Sequence, residues 1–389
     1  MFSTPAFWVA LISVAALTQL LPESATRWRA LAIAAISVAA IQVILGLRPV
    51  HWAVIAVAFA WLLVGLRIVS RRPPRRPFFA SLAICAPMLL GWTVGKSAVT
   101  TPVGRILLFV GLSYMVIKSF TLAKDTCDGR ITPDLAVVLA YLLFFPTFVA
   151  GPMHLYGEFH ATLRETAQLS GADLVGSVYR FVLGMFKVQF LAGVLQPLSL
   201  LGISDPAVVP AAKLVVGSMV FSLVLLLNFS GYTDMAIATS AVIGVRTPEN
   251  FNWPYVANNI REFWQRWHIT FSRVLTNYLF IPLTRYLQRH GFSQRRIMLL
   301  FVGYVATFLF CGYWHGAGLN FVLWGAYHAL GLFTVDAMRA VRSTRSPAVA
   351  TPAQPLPHVR LLNMAATFVF VSLGWILFVF PIDRLQRLI

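Results

Sequence analysis

Long apolar segments follow one another along almost the whole chain, and they limit the possible folds more than any other feature. A helix needs about 20 apolar residues to cross the hydrocarbon core of a bilayer, which is about 30 Å thick. The segments lie at about 6–21, 28–46, 50–69, 78–95, 103–123, 135–151, 174–202, 207–229, 297–313, 316–335 and 361–380. These continuous runs predict an all-α polytopic membrane protein with about ten to eleven transmembrane helices.

The composition excludes most other classes of protein. Of the 389 residues, 58% are hydrophobic and only 11% are charged. Neither a soluble domain nor a disordered chain has this balance. An outer-membrane β-barrel is disfavoured because its strands would alternate apolar and polar residues. The apolar runs leave no room for a large soluble domain, so we expect one integral membrane domain over residues 1–389.

The chain is strongly basic, since 31 Lys and Arg against 13 Asp and Glu give a formal net charge of +18. The basic residues cluster between apolar runs, most densely at 71–76, which is typical of cytoplasmic loops. Together with Arg27 and Arg29, this loop predicts that the N-terminus lies outside the cytoplasm. We therefore expect no nucleic acid as a partner. An acidic cytosolic partner, such as a nucleotide-bearing thioester or an acidic carrier protein, fits the surplus charge better.

Three segments break the plain apolar pattern. Pro and Gly occur at 145–160, and Pro, Gly, Asn and Asp occur at 228–250, and we expect both segments to be re-entrant. Between 251 and 290, Trp, Arg, Asn and His mix with Phe and Leu, which favours a helix at the membrane interface. At about 100° per residue, one apolar arc of this helix contains Ile260, Trp264, Trp267, His268, Phe271, Leu275 and Tyr278. His268 is therefore expected on the buried side, and Pro282 is expected to stop or bend the helix.

The segment from Ile297 to Val335 contains no Asp, Glu, Lys or Arg. It is too long for one crossing and fits two helices joined by a tight turn. Gly312, Gly316 and Gly318 mark the expected turn, with His315 in its middle.

Histidines within apolar sequence are the first candidates for chemistry, because an ionisable group is costly there. For His315 two interpretations stay open: a general base that takes a proton from an attacking hydroxyl, or a histidine that ties a helix turn by hydrogen bonding. The same two are open for His268. His328, near Trp324 and Tyr327, is either a core histidine with satisfied hydrogen bonds or a catalytic one.

Other polar residues in apolar sequence extend the candidate site to Asn228, Asp234 and Asn320. Asp234 can hold a histidine or a backbone turn, or serve as a proton-relay carboxylate. A transporter that uses Asp234, Lys187 and Arg180 as intramembrane charges is therefore a second hypothesis. The sequence lacks the repeated half that many transporters have.

Several other chemistries have no sequence signal. The chain has no P-loop, HExxH, CxxC or Gly-x-Ser-x-Gly motif. Its three cysteines, Cys85, Cys127 and Cys311, have no paired spacing and no metal signature. We expect neither a metal nor a bound cofactor.

Five segments, in order along the chain, resemble the membrane-bound O-acyltransferase family. They are FFPTFVAGP at 144–152, NFSGYTDMA at 228–236, PENFNWPY at 248–255, EFWQRWHIT at 262–270 and GYWHG at 312–316. The resemblance covers residues 135 to 380 and points to the bacterial branch, which contains proteins of alginate O-acetylation and of D-alanyl transfer to teichoic acid. It implies a catalytic core at 135–335, N-terminal helices at 1–134, and a basic loop and last helix at 336–389.

The resemblance also implies a fold and a set of site residues. The fold would be a helical funnel or tunnel, lined by re-entrant and interfacial helices, in which a cytosolic donor meets an external acceptor. His315 matches the family's catalytic histidine and His268 its second important one. Trp267 and Trp314, next to them in the motifs, join Asp234, Asn228 and Asn320 as candidates for substrate binding.

The implied activity is acyl transfer from a thioester to a hydroxyl. We hypothesise an O-acetyltransferase of the bacterial inner membrane, surrounded by membrane lipid, with acetyl-CoA or a similar thioester as co-substrate. The acceptor would be a cell-surface polysaccharide, its lipid-linked precursor or a partner acyltransferase outside the cytoplasm. D-alanyl or other acyl transfer from a carrier protein stays open, as does acylation of a lipid or protein. Asn228 stands where the alginate-type pattern usually has Asp, which leaves the acceptor open.

Overall fold

The structure is a computed structural model, and it describes residues 5–21, 25–98, 100–101, 111–164, 170–345 and 356–386. Within these ranges every regular element is helical. The α-helices are α1 (Pro5–Leu20), α2 (Thr26–Leu45), α3 (Pro49–Arg71), α4 (Pro77–Ser97), α5 (Leu112–Cys127), α6 (Leu135–Leu143), α7 (Tyr156–Arg164), α8 (Gly171–Met185), α9 (Ala192–Leu195), α10 (Ala211–Ile243), α11 (Ile260–Arg266), α12 (Ile269–Leu275), α13 (Ile281–Leu287), α14 (Arg296–His315), α15 (Leu319–Arg345), α16 (Pro357–Val379) and α17 (Ile382–Leu385). Short 3₁₀ and π turns lie between several of them.

Among the described residues, eight helical segments are long and apolar enough to cross a membrane. They are Thr26–Leu45, Pro49–Arg71, Pro77–Ser97, Gly171–Leu198, Ala211–Ile243, Arg296–His315, Leu319–Val341 and Pro357–Val379. The chain is thus an all-α multi-pass membrane protein, as the apolar runs predict.

The apolar run at 135–151 does not form the crossing helix that its length suggests. α6 ends at Leu143, and Phe145–Thr147 forms a 3₁₀ turn. Pro146 lacks a backbone N–H and disfavours the helical conformation of the residue before it, so the helix ends first. The beginning of the run at 103–123 lies outside the described residues, and its later part belongs to α5.

The prediction of a re-entrant segment at 228–250 is wrong for most of its length. α10 is continuous from Ala211 to Ile243 and passes Asn228 and Gly231 without a break. In a helix interior Asn and Gly each cost only about 1 kcal/mol or less relative to Ala, so they do not end a long apolar helix. The next proline is Pro248, beyond its end.

The chain divides into two compact units, and the first comprises Met1–Met185 and Tyr232–Pro248. In this unit α2 packs against α1 and α6, and α4 packs against α3 and α5. Aromatic side chains fill its interior, with Tyr141, Phe144, Phe145, Tyr156 and Phe159 fully buried. Asp134 starts α6 by accepting hydrogen bonds from the backbone N–H groups of Ala136 and Val137.

The second unit comprises Phe186–Gly231 and Glu249–Ile389, and α14 and α15 form a helical hairpin within it. Glycines let the two backbones approach closely. A Cβ added at Gly312 would lie 2.2 Å from the carbonyl oxygen of Phe321, and one at Gly325 would lie 2.2 Å from that of Phe308. Close helix pairs in membranes commonly depend on such small residues.

A buried carboxylate joins three helices of the second unit. Asp336 follows directly after the charge-free segment and is 6% exposed. Each of its carboxylate oxygens lies 2.9 Å from Nη1 of Arg261, and one of them also accepts a hydrogen bond from the Tyr304 hydroxyl. The group links α11, α14 and α15, and its negative charge is paired.

Candidate functional site

The interfacial segment is broken at His268, whereas its periodicity predicts one continuous helix. Trp267 is extended at φ −100° and ψ 127°, and His268 is left-handed at φ 44° and ψ 52°. The break follows from pairing with a distant stretch of chain. The N–H of Ile269 donates to the carbonyl of Asn250, and the N–H of Asn252 donates to the carbonyl of Arg266, both over 2.9 Å.

Pro282 does not stop the helix either. It is the second residue of α13, within a helical stretch that continues on both sides of it. The chain reaches it through a π turn at Thr276–Phe280. The sequence therefore predicts the helical character of this segment but not the break in its backbone path.

His268 is held in one orientation by Asn250. The His268 ring is 3% exposed, and its Nδ1 lies 3.1 Å from Oδ1 of Asn250. The same oxygen accepts from the backbone N–H of Thr270 over 3.2 Å and from its hydroxyl over 2.9 Å. Because a backbone N–H can only donate, the Asn250 atom must be the oxygen, and His268 Nδ1 must carry the proton.

The other ring nitrogen of His268 is therefore a hydrogen-bond acceptor. Nε2 is buried and makes no hydrogen bond within the described part of the chain. Burial, and to a smaller extent the neighbouring His315, lowers the pKa of His268 to about 3. The imidazole is thus neutral near pH 7, with its free lone pair on Nε2.

His315 is the last residue of α14, and its side chain is exposed. The sequence places it in the middle of a turn that begins at Gly312, but Gly312 lies inside α14 and the turn is confined to 316–318. Gly316 and Gly318, which have no side chains, follow the histidine. The ring of His315 is flanked by Trp314, Trp324 and Phe378, with centroid distances of 4.7, 5.3 and 5.0 Å.

Trp314 connects the two candidate histidines. Its ring centroid lies 4.7 Å from that of His315 and 6.5 Å from that of His268. It also packs on Phe271 of α12 at 4.5 Å. The structure therefore brings the two histidines to the same aromatic side chain, one buried and one accessible.

Asn320 and Asn228 each lie next to a phenylalanine that contacts one of the two histidines. Asn320 is 7% exposed at the start of α15, and its amide donates over 3.4 Å to the carbonyl of Phe378, whose ring touches His315. Asn228 is partly buried, and the next residue, Phe229, packs on His268 at 4.7 Å.

Two predicted site residues have other neighbours. Trp267 is buried and stacks on Phe263 at 5.6 Å, with Trp375 at 5.9 Å. Asp234 belongs to the first unit, where its Oδ1 forms an ion pair with Arg180 at 3.0 Å. An ion pair between α8 and α10 is a sufficient structural reason for both charges.

The sequence gives no signal for Asn250, and it leaves two interpretations of His328 open. Asn250 lies within a quoted motif, but its role depends on a contact 18 residues away. His328 is fully buried, in ring contact with Trp264 and Trp324, and within the described residues neither ring nitrogen makes a hydrogen bond. Within the described residues, the hydrogen bonds expected of a satisfied core histidine are thus not seen at His328.

No group of three His, Cys, Asp or Glu that could hold a metal ion occurs among the described residues. The second unit has a pocket of about 390 Å³ whose polar lining includes Arg261, Gln265, Arg273 and Tyr304. Neither His268 nor His315 lines this pocket, so we assign no step of a reaction to it.

Comparison with known proteins gives one family match. The profile of MBOAT, the membrane-bound O-acyltransferase family, matches residues 107–373. A probable alginate O-acetylase AlgI of Azotobacter vinelandii is 32% identical over 280 residues, which are 71% of this chain and 52% of that protein.

Two other relatives are named for different activities. A teichoic acid D-alanyltransferase of Bacillus subtilis is 28% identical over 246 residues, 59% of each chain. A peptidoglycan O-acetyltransferase of Helicobacter pylori is 31% identical over 240 residues, 61% of this chain and 42% of that protein. The aligned part of the chain spans about half the length of these relatives.

Proposed function

The chain belongs to the membrane-bound O-acyltransferase family, and from this we propose that it transfers an acetyl group from a cytosolic thioester, such as acetyl-CoA, to a hydroxyl. The acceptor is a cell-surface polysaccharide, its lipid-linked precursor or a partner acyltransferase. The observation that carries the proposal is the pair of histidines in contact with Trp314. We place the protein in the inner membrane of a bacterium.

His315 acts as the general base. Its Nε2 or Nδ1 takes the proton of the acceptor hydroxyl while the oxygen attacks the thioester carbonyl. The tetrahedral intermediate then collapses, the C–S bond breaks, and the thiolate leaves with the proton that His315 gives back. Support comes from its exposure, which lets a substrate reach it, and from the rings of Trp314, Trp324 and Phe378, which pack around the imidazole.

His268 orients a substrate group. Because Nδ1 is committed to Asn250, only the Nε2 lone pair is left to meet a ligand, and it accepts a hydrogen bond from a hydroxyl or amide N–H. A thioester carbonyl oxygen is itself a hydrogen-bond acceptor, so the Nε2 lone pair cannot polarise it. We therefore favour a role for His268 in orienting the substrate. Trp314 and Asn320 line the substrate-binding site beside His315. We give Asn228 and Trp267 supporting roles in substrate binding, and Asp234, which pairs with Arg180 in the first unit, a structural one.

The test is the ester-linked acetate of the cell envelope in a strain that lacks the gene. It is complemented with the wild-type sequence, with His315→Ala, or with His358→Ala, an exposed histidine at the start of α16, all at matched membrane levels. We expect wild type and His358→Ala to restore acetate and His315→Ala to lower the rate of its appearance by at least about 100-fold.

Full restoration by His315→Ala would contradict the assignment of the base. If acetate does not change in any strain, the acetyl donor or the polysaccharide acceptor is wrong. Measurement of ester-linked alanine in the same samples then tests D-alanyl transfer from a carrier protein, the activity that one relative's name carries.

A further inference from the structure

A groove of about 650 Å³ opens in the first unit, beside α2, α3 and α6. One face of α3 supplies Leu63, Val64, Arg67 and Arg71. Residues four apart lie on the same side of a helix, one turn above another, so the two arginines point the same way. The groove therefore has an apolar part deeper along α3 and a basic part at the end of that helix.

The basic part of the groove carries a surplus of positive charge. Arg27 and Asp134 both line it, and they pair through Nε and Oδ2 at 2.7 Å. Burial raises the pKa of Asp134, but the hydrogen bonds from Arg27 and the backbone hold it below its ordinary value, so the carboxylate is charged and neutralises Arg27. Within the described residues, Arg67 and Arg71 make no ion pair or hydrogen bond, and they are exposed.

The apolar part of the groove fits hydrocarbon. Leu31, Val64 and Leu135 line it and remain 41%, 59% and 54% exposed. Leu31 and Val64 lie in helices that are long and apolar enough to cross a membrane. In such helices exposed Leu and Val face lipid, not water. The groove thus offers an apolar surface at the depth of acyl chains and two arginines towards the interface.

The position of the groove also favours anionic lipid. Arg71 begins the densest basic loop, 71–76, and Arg27 belongs to the other loop that the charge distribution places in the cytoplasm. The cytoplasmic leaflet carries negative surface charge from its anionic lipids, and basic pockets between transmembrane helices bind their headgroups.

We propose that this groove is a binding site for one anionic phospholipid of the cytoplasmic leaflet. The phosphate lies between Arg67 and Arg71, and the acyl chains follow Leu31, Val64 and Leu135. Arginine suits this task because its planar guanidinium donates two parallel hydrogen bonds to a phosphate. The site is independent of the acyl transfer proposed above, and its test does not measure that activity.

The experiment is native mass spectrometry of the purified full chain with added phosphatidylglycerol or phosphatidylcholine. We expect phosphatidylglycerol to bind more tightly than phosphatidylcholine. The pair Arg67→Gln and Arg71→Gln removes two basic groups near the surface and is expected to weaken phosphatidylglycerol binding by about 30-fold. The pair Arg67→Lys and Arg71→Lys keeps the charge and is expected to lose only part of the affinity.

The matched control is the pair Arg72→Gln and Arg75→Gln, which removes the same amount of charge just beyond the end of α3 from residues that do not line the groove. An equal loss in the control pair would overturn the site, because binding would then follow net charge alone. Equal affinity for the two lipids would overturn it as well. Displacement of the lipid by millimolar inorganic phosphate would identify a site for free phosphate instead. The single variant Arg67→Gln repeats the test if the double variant does not fold.

Discussion

Two histidines in contact with one tryptophan occupy opposite environments. His268 is fixed by Asn250, buried and neutral, while His315 is exposed at the end of a helix. A buried neutral imidazole accepts a hydrogen bond well but takes up a proton poorly, whereas an accessible imidazole can exchange protons with a substrate. The division of roles proposed for the pair follows from this difference in environment.

The burial of His268 predicts a dependence of stability on pH. Its pKa is about 3 in the folded chain and takes the ordinary value of about 6.5 in the unfolded chain. As the pH falls below 6.5, the unfolded chain takes up a proton that the folded chain refuses, so stability is lost progressively down to about pH 3. Between pH 7 and pH 5 this amounts to about 2 kcal/mol.

The measurement is the free energy of unfolding of wild type and His268→Asn, by detergent titration at pH 7 and pH 5. Asparagine does not titrate here and tolerates the left-handed backbone. We expect wild type to lose about 2 kcal/mol more than the variant over this range, while the exposed control His358→Asn behaves like wild type. The same pH dependence in all three proteins would show that His268 does not resist protonation in the fold.

At the scale of elements, sequence periodicity predicts which face of a helix is buried better than it predicts where the helix begins and ends. The apolar arc correctly places His268 on the buried side, and the charge-free segment correctly gives the hairpin of α14 and α15. The break between α11 and α12 was not predictable, because hydrogen bonds with Asn250 and Asn252 impose it from a distance. Local propensity carries no information about such pairing. The contact between Trp314 and the His268 ring is likewise a product of tertiary packing.

The hairpin of α14 and α15 predicts a sharp difference between two glycine substitutions. Gly312→Ala places a methyl group 2.2 Å from the carbonyl oxygen of Phe321, so the helices must separate. We expect a loss of at least about 1–3 kcal/mol, as for other overpacked positions, measured by thermal melting of the purified protein.

The matched control is Gly176→Ala in α8, where nothing lies within 4 Å of the added methyl group. In that helix interior alanine is favoured over glycine by about 0.5–1 kcal/mol, so the control should melt at the same temperature or higher. If both variants melt together, the close approach of the two backbones is not essential.

At the scale of the molecule, the sequence predicts the class of fold through its apolar runs, because the thickness of the bilayer fixes the length of a crossing helix. It predicts a crossing at 135–151, where α6 ends before Pro146, and it misjudges α10, where Asn228 and Gly231 remain helical. Hydropathy does not distinguish polar residues that end a helix from polar residues that a helix tolerates.

The orientation of the chain is open to direct measurement. Cys85, Cys127 and Cys311 are 1%, 3% and 0% exposed, so we expect the native protein to resist thiol reagents. In intact cells, Arg75→Cys should react with a membrane-permeant maleimide and not with an impermeant one, while Arg48→Cys at the other end of α3 should react with both. The reverse labelling pattern would show that the chain has the opposite orientation, with the basic groove in the outer leaflet.

The π turn at Thr276–Phe280 has a consequence for how such sequences are aligned. A π turn holds one residue more than an α-helix does over the same rise, so a helix can accommodate a single-residue insertion there. A protein that lacks this residue would continue as an α-helix, with every later side chain rotated by about 100°. Position-by-position equivalences drawn beyond this turn therefore have to allow for a slip of one residue.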